Sequence, residues 1–134
     1  MNDPSLYQRV GGLAFFERLA GAFYEGIATD EVLLPLYPDP ADLGPASRRL
    51  ALFLAQYWGG PDTYSQERGH PRLRMRHAPY LIGPLQRDRW LVHMAAAVER
   101  SQADPEVQAE LMTYFVRAAE HLRNDEALPL VEPT

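Results

Sequence analysis

The sequence predicts an all-α fold, and three observations carry the prediction. Apolar residues recur at helical offsets over four long stretches. No stretch sustains the period-two alternation of a half-buried strand. Glycine and proline stand at most of the breaks between stretches. A chain of 134 residues is one domain with one real core. Without strands or internal repeats, that core comes from helices packed on helices.

Pro4 to Val10 allows one helical turn before the Gly11-Gly12 break. Over Leu13 to Ala28 the apolar residues Phe16, Leu19, Ala20, Phe23, Tyr24 and Ile27 share one helical face. Glu17, Arg18 and Glu25 lie off it. Thr29-Asp30 reads as an N-cap for a short helix from Glu31 to Leu36, which ends at Tyr37-Pro38. The proline-rich connection Pro38 to Pro45 excludes a long helix or a central strand. Pro45 suits the first turn of the next helix, whose face is Leu50, Phe53, Leu54 and Tyr57. Gly59-Gly60-Pro61 stops that helix, and Asp62 to Gly69 reads as a polar loop. After Gly83-Pro84, Leu85 to Arg100 is helical, with Trp90, Met94, Ala97 and Ser101 on one side. Asp104-Pro105 opens the last helix, whose face is Val107, Leu111, Tyr114, Phe115, Ala118 and Leu122. Asn124 to Thr134 has no pattern and is expected to be a frayed tail.

Composition excludes several chemistries. The chain has no cysteine, which rules out disulfides, zinc–thiolate sites, thiolate-ligated haem, cysteine-held iron–sulfur clusters and thiol nucleophiles. A net charge of −5 argues against nucleic acid as a partner. No apolar run approaches the length of a membrane span, and the polar start lacks a signal-peptide pattern. The expectation is a cytoplasmic protein without an integral membrane segment. There is no phosphate loop, no GxGxxG and no serine in a glycine-flanked elbow.

What remains is concentrated between Gly69 and Tyr80. This stretch carries His70, His77, Arg72, Arg74 and Arg76 between Pro71 and Pro79. His77 is either a surface residue of a basic run or a metal ligand. The other histidines do not complete a metal cage with it, and His70 across a proline is not at a zinc-site spacing. As a ligand it suits a metal that brings its own donors, as porphyrin iron does. The arginines are either a solvated loop or partners for haem propionates. Tyr24, Tyr37 and Trp90 sit on or at the ends of apolar faces, where a buried phenol or indole needs a polar partner. They are core aromatics, or donors toward an oxygen-derived ligand.

Phe53-Leu54-Ala55-Gln56-Tyr57-Trp58-Gly59-Gly60-Pro61, Thr63-Tyr64-Ser65 and the whole run Gly69 to Tyr80 resemble the truncated haemoglobins. The closest likeness is to their second group, the O type of actinobacteria and many other bacteria. Gly11-Gly12, Phe23-Tyr24, Tyr37-Pro38 and Asp88-Arg89-Trp90 match as well, so the resemblance runs in order from Leu6 to Asn124. It implies a two-over-two helical sandwich around haem b; a single globin domain is expected over residues 1–124, and the patternless tail over 125–134, outside the resemblance, is expected to be flexible. His77 stands where the family has its proximal iron ligand. Tyr24, Tyr37 and Trp90 stand at the distal positions that face bound ligand. Ala46 stands where vertebrate globins carry a distal histidine, and a small residue there opens the entrance. Leu50 and Phe53 match apolar positions lining the haem. Arg49 and Arg74 fall where propionate partners belong. Phe23, Tyr64, Met75, Tyr80 and Met94 are further haem contacts implied by the resemblance. The connection Asp39 to Pro45 departs from the family pattern.

The function implied is reversible binding of oxygen, and of carbon monoxide or nitric oxide, at five-coordinate iron. Each O–H or N–H donor to a charged acceptor contributes ~1.5–3 kcal/mol, and ~1.4 kcal/mol is a factor of ten. Three donors therefore imply slow oxygen release, which suits oxygen or peroxide redox chemistry, nitric oxide scavenging or sensing better than bulk oxygen transport. The alternative is an enzyme with peroxidase-like or nitric oxide dioxygenase activity. Such an enzyme would need a separate reductase, since nothing in the chain reads as a flavin or nicotinamide site. A helical interaction domain without cofactor is the third class. Monomer and homodimer are both compatible with the helical faces.

Overall fold

The computed structural model describes residues 3–70 and 82–122. Six α-helices and one 3-10 turn account for the regular structure among them, with no strand. The helices are α1 (Leu6–Arg9), α2 (Leu13–Ile27), α3 (Gly44–Tyr57), α4 (Thr63–Arg68), α5 (Pro84–Arg100) and α6 (Pro105–Leu122). The 3-10 turn covers Leu34–Leu36.

Proline opens the three later long helices. Pro45, Pro84 and Pro105 occupy first-turn positions, where a missing amide removes no intrahelical bond. At the start of α5 the Gln86 side chain also reaches back to accept from the Gly83 amide at 2.9 Å. The short α1 survives on its ends. Ser5 Oγ accepts from the Gln8 amide, and Gln8 Oε1 accepts from the Ser5 amide, a reciprocal capping box. The Tyr7 amide then donates to the Trp58 carbonyl at 3.0 Å, and the Tyr7 ring stacks on Phe16, which stacks on Trp58. So α1 is held where the chain leaves α3.

α2 packs on both α3 and α5, and α5 packs on α6. This gives two helix pairs, one over the other, with the apolar face of α2 at the centre. Phe16, Leu19, Ala20, Phe23 and Ile27 of α2 are buried, as the periodicity predicts. They meet Leu54 and Ala55 of α3, Met94, Ala97 and Val98 of α5, and Val107, Leu111 and Phe115 of α6. A fully buried side chain such as Phe16 or Phe115 contributes roughly 1.5–3 kcal/mol. Surface ion pairs add little beside this. Arg9–Glu110 and Arg100–Glu25 bridge helices with both partners at least one-third exposed.

Two expectations need correction. Asp62 to Gly69 is not a loop, because α4 forms there. Tyr64 is buried edge-on against Phe53, with ring centroids 5.5 Å apart. The Gln56 side chain holds Ser65 twice, accepting from its amide at 3.0 Å and donating to its hydroxyl at 2.7 Å. These tertiary contacts outweigh the polar local sequence. The segment after α2 is also not a helix from Glu31 to Leu36. Asp30 does cap it, accepting from the Val32 and Leu33 amides, but only a turn and the 3-10 stretch follow. Pro35 removes an amide that a longer helix would use.

Candidate functional site

The helices leave a cavity of about 320 Å³ between the two pairs, within the range of small-molecule and cofactor sites. α2 places Phe23 and Tyr24 on its wall because the two follow one another at the edge of the apolar face. The segment after α2 brings Leu33, Leu36, Tyr37 and Pro38. α3 contributes Ala46, Arg49, Leu50, Phe53 and Leu54, and α4 contributes Tyr64 and Arg68. From the other side come Ile82, Gln86, Arg87 and Trp90, then Tyr114, Phe115, Ala118, Ala119 and Leu122 of α6.

The structure thus gathers Tyr24, Tyr37 and Trp90 on one cavity from three separate elements. Their rings are linked edge to edge. Tyr37 meets Tyr24 at 5.4 Å between centroids, Tyr24 meets Phe23 at 5.0 Å, Phe23 meets Trp90 at 5.3 Å, and Trp90 meets Phe115 at 5.8 Å. All but the last two pairs are near perpendicular, and all favour the quadrupole geometry of aromatic contacts. The wall is pre-formed by this packing rather than by flexible side chains.

The phenols stay neutral. Burial pushes the Tyr24 hydroxyl up to about 12, against the opposing pull of its Tyr37 contact and of the Arg49 charge. Burial raises Tyr37 well above the ordinary phenol value, and the neighbouring Tyr24 adds to the shift. Tyr114 is raised to about 12 for the same primary reason, with Tyr57 beside it. A neutral phenol keeps its O–H to donate, and the Trp90 indole is a donor at any pH.

Phe23, Ala46, Arg49, Leu50, Phe53 and Tyr64 also lie on this wall. Met94 does not. It is completely buried in the core between α2, α5 and α6. His77, Arg74, Met75 and Tyr80 lie outside the described residues, as do Arg72 and Arg76 and the tail over 125–134. Sequence reading missed Tyr114 and Phe115 as cavity wall, having placed them only on a helical face. It also missed the double role of Asp30, whose carboxylate pairs with Arg89 and His93 across the fold. The only local signal was the i, i+4 spacing of Arg89 and His93, which puts them on one face of α5.

Haem fits this site. Its macrocycle is flat and apolar, and the cavity walls are mostly aromatic and aliphatic. Its two propionates need cations, and Arg49 stands on the wall with no ion pair to any described residue. Among the described residues no helix is long and apolar enough to cross a membrane.

A helical sandwich with a cavity between its layers lined by Tyr24, Tyr37, Trp90 and apolar side chains is the architecture of a haem-binding globin. The chain belongs to the bacterial-like globin family, whose model matches residues 5–124. It is 35% identical over 118 residues to the group 2 truncated haemoglobin YjbI of Bacillus subtilis, covering 88% of this chain and 87% of that protein. It superposes on the thermostable haemoglobin of the actinobacterium Thermobifida fusca with a TM-score of 0.88 and 56% identity, over 91% of this chain and 98% of that one. The truncated oxygen-avid haemoglobin of Bacillus subtilis matches with a TM-score of 0.84 and 34% identity, over 90% and 100% of the two chains. Its relatives include group 2 truncated haemoglobins, and the cofactor is haem b.

Proposed function

We propose that this globin holds haem through His77 and retains oxygen by donating to it from Tyr24, Tyr37 and Trp90. The carrying observation is that these three side chains, from α2, the segment after it and α5, line one cavity. The haem iron supplies the coordination position for a diatomic ligand. The chain supplies the polarity around that position. Tyr24 and Tyr37 keep their protons because burial disfavours the phenolate. Phe23, Leu50 and Phe53 keep the surroundings apolar, and a hydrogen bond to a ligand carrying partial charge is stronger in such a medium. Arg49, and Arg74 with it, would hold propionates. Ala46, with its small side chain, leaves the α3 wall open for ligand entry.

The consequence is slow oxygen release. The oxygen avidity for which the Bacillus subtilis relative is described accords with this reading. It is tested by oxygen dissociation from the ferrous protein. Trp90→Phe and Tyr24→Phe should each release oxygen roughly tenfold to a hundredfold faster, the loss of one donor to a charged acceptor. Rates equal to wild type in both would remove these residues from ligand stabilisation. Sustained consumption of nitric oxide or peroxide with a recycling reductant would assign the same pocket to catalysis rather than retention.

A further inference from the structure

Asp30 is the one buried charged residue among the described residues, with its side chain 2% exposed. Both of its oxygens are in use. Oδ1 accepts from the Val32 amide at 2.9 Å, the Leu33 amide at 3.0 Å and Arg89 Nε at 3.0 Å. Oδ2 accepts from Arg89 Nε at 3.1 Å and lies 2.6 Å from His93 Nε2. An ionised carboxylate only accepts, so His93 Nε2 is the donor of this contact. On its other side the His93 ring presses on α2. A Cβ added to Gly26 would run into His93 Nδ1.

The partners of this carboxylate lie in the segment that leads to Tyr37 and on either side of Trp90, and His93 in turn lies against α2 close to Tyr24. Gly26 is two residues beyond Tyr24 on α2. Val32 and Leu33 lead directly into the turn Leu34–Leu36, which ends at Tyr37. Arg89 and His93 bracket Trp90 on α5, one turn apart. Fixing residues 89 and 93 fixes both the rotation and the height of the turn that carries Trp90.

We propose that Asp30 is the positioning residue of the pocket: its carboxylate sets the Tyr37 segment and the Trp90 turn against each other, and so sets how their donors meet the ligand. The inference rests on the reading that Tyr24, Tyr37 and Trp90 face that ligand. Burying a carboxylate costs desolvation energy, and an apolar replacement of a buried ion pair is often as stable or more so. A joint of this kind is therefore explained better by the geometry it fixes than by the stability it adds. The exposed pairs Arg9–Glu110 and Arg100–Glu25 bridge helices as well, but none of their four side chains lines the cavity.

The test uses the haem-loaded ferrous protein with carbon monoxide as the probe. The infrared C–O stretch reports donors close to the ligand and is indifferent to stability as such. Asp30→Asn keeps an acceptor for the amides but offers His93 an N–H instead of an oxygen. Gly26→Ala displaces His93 without touching the carboxylate. Both should shift or split the C–O band and speed oxygen release about threefold to tenfold. His93→Gln, which retains a neutral donor near the Nε2 position, should stay closer to wild type than His93→Leu. Val107→Ala, a core change in α6 away from the cavity wall, should lower the melting temperature and leave the band in place. A shifted band in Trp90→Phe together with an unmoved band in Asp30→Asn and Gly26→Ala overturns the positioning role and leaves the donor reading intact. An unmoved band in Trp90→Phe overturns both.

Discussion

The Tyr24 and Tyr37 rings meet edge to face with centroids 5.4 Å apart, although one lies on a long helix and the other just after a 3-10 turn. Burial raises the pKa of both phenols, and their contact partly offsets the rise at Tyr24 while adding to it at Tyr37. Two donors that share a contact do not act independently. In oxygen dissociation, Tyr24→Phe and Tyr37→Phe should each accelerate release. The double variant should depart from the sum of the single effects by about 0.5–3 kcal/mol, as residues in contact do. Simple additivity would place the two phenols in separate roles.

Arg49 carries a different expectation. It lies on the cavity wall among apolar side chains and pairs with no described carboxylate. Its neighbour Arg48 is instead committed to Glu67 in a two-bond surface pair at 2.7 and 2.8 Å. Arg49→Gln should therefore speed haem loss to a haem scavenger about threefold to tenfold, whereas Arg48→Gln should leave it near the wild-type rate. Equal effects of the two substitutions would remove Arg49 from propionate binding.

Asp30 gives the fold an acid limit. Burial by itself would raise its pKa, but hydrogen bonds from His93, the Leu33 amide, Arg89 and the Val32 amide outweigh that and hold it well below the ordinary carboxylate range. A depressed native pKa stabilises the fold above the unfolded value of about 3.9, and that stability is lost as pH falls below it toward the native value. At pH 7, Asp30→Asn should cost about 1–3 kcal/mol. The difference between variant and wild type should narrow in melting curves taken at successively lower pH below about 4. A difference that stays constant down to pH 2 would mean the native carboxylate is not the stabilised species.

How far the sequence foretold this is clearest at particular residues. Phe16, Leu19, Phe23 and Ile27 announced α2 because the spacing of a helix that packs on two others survives in any single chain. Tyr24 and Trp90 were legible as polar tips on otherwise apolar faces. Tyr64 was legible only through the family resemblance, since one aromatic in the polar run Thr63–Arg68 has no periodicity to reveal it, and its burial depends on Phe53 and Gln56 in another helix. The pairing of Asp30 with His93 spans 63 positions, and no local pattern encodes such a contact. What the sequence showed at Asp30 was only its local role as a cap. The expectation for His77 rests on its motif alone, because its stretch lies outside the described residues.

The central claim is that haem hangs from His77 over the cavity lined by Tyr24, Tyr37 and Trp90. The most direct measurement is the Soret spectrum of His77→Gly, with and without added imidazole, beside wild type. The account predicts that the variant folds with little haem and a weakened, shifted band, and that imidazole in solution restores the wild-type spectrum by taking the vacated ligand position. A His77→Gly protein that retains haem with an unchanged Soret band would contradict it.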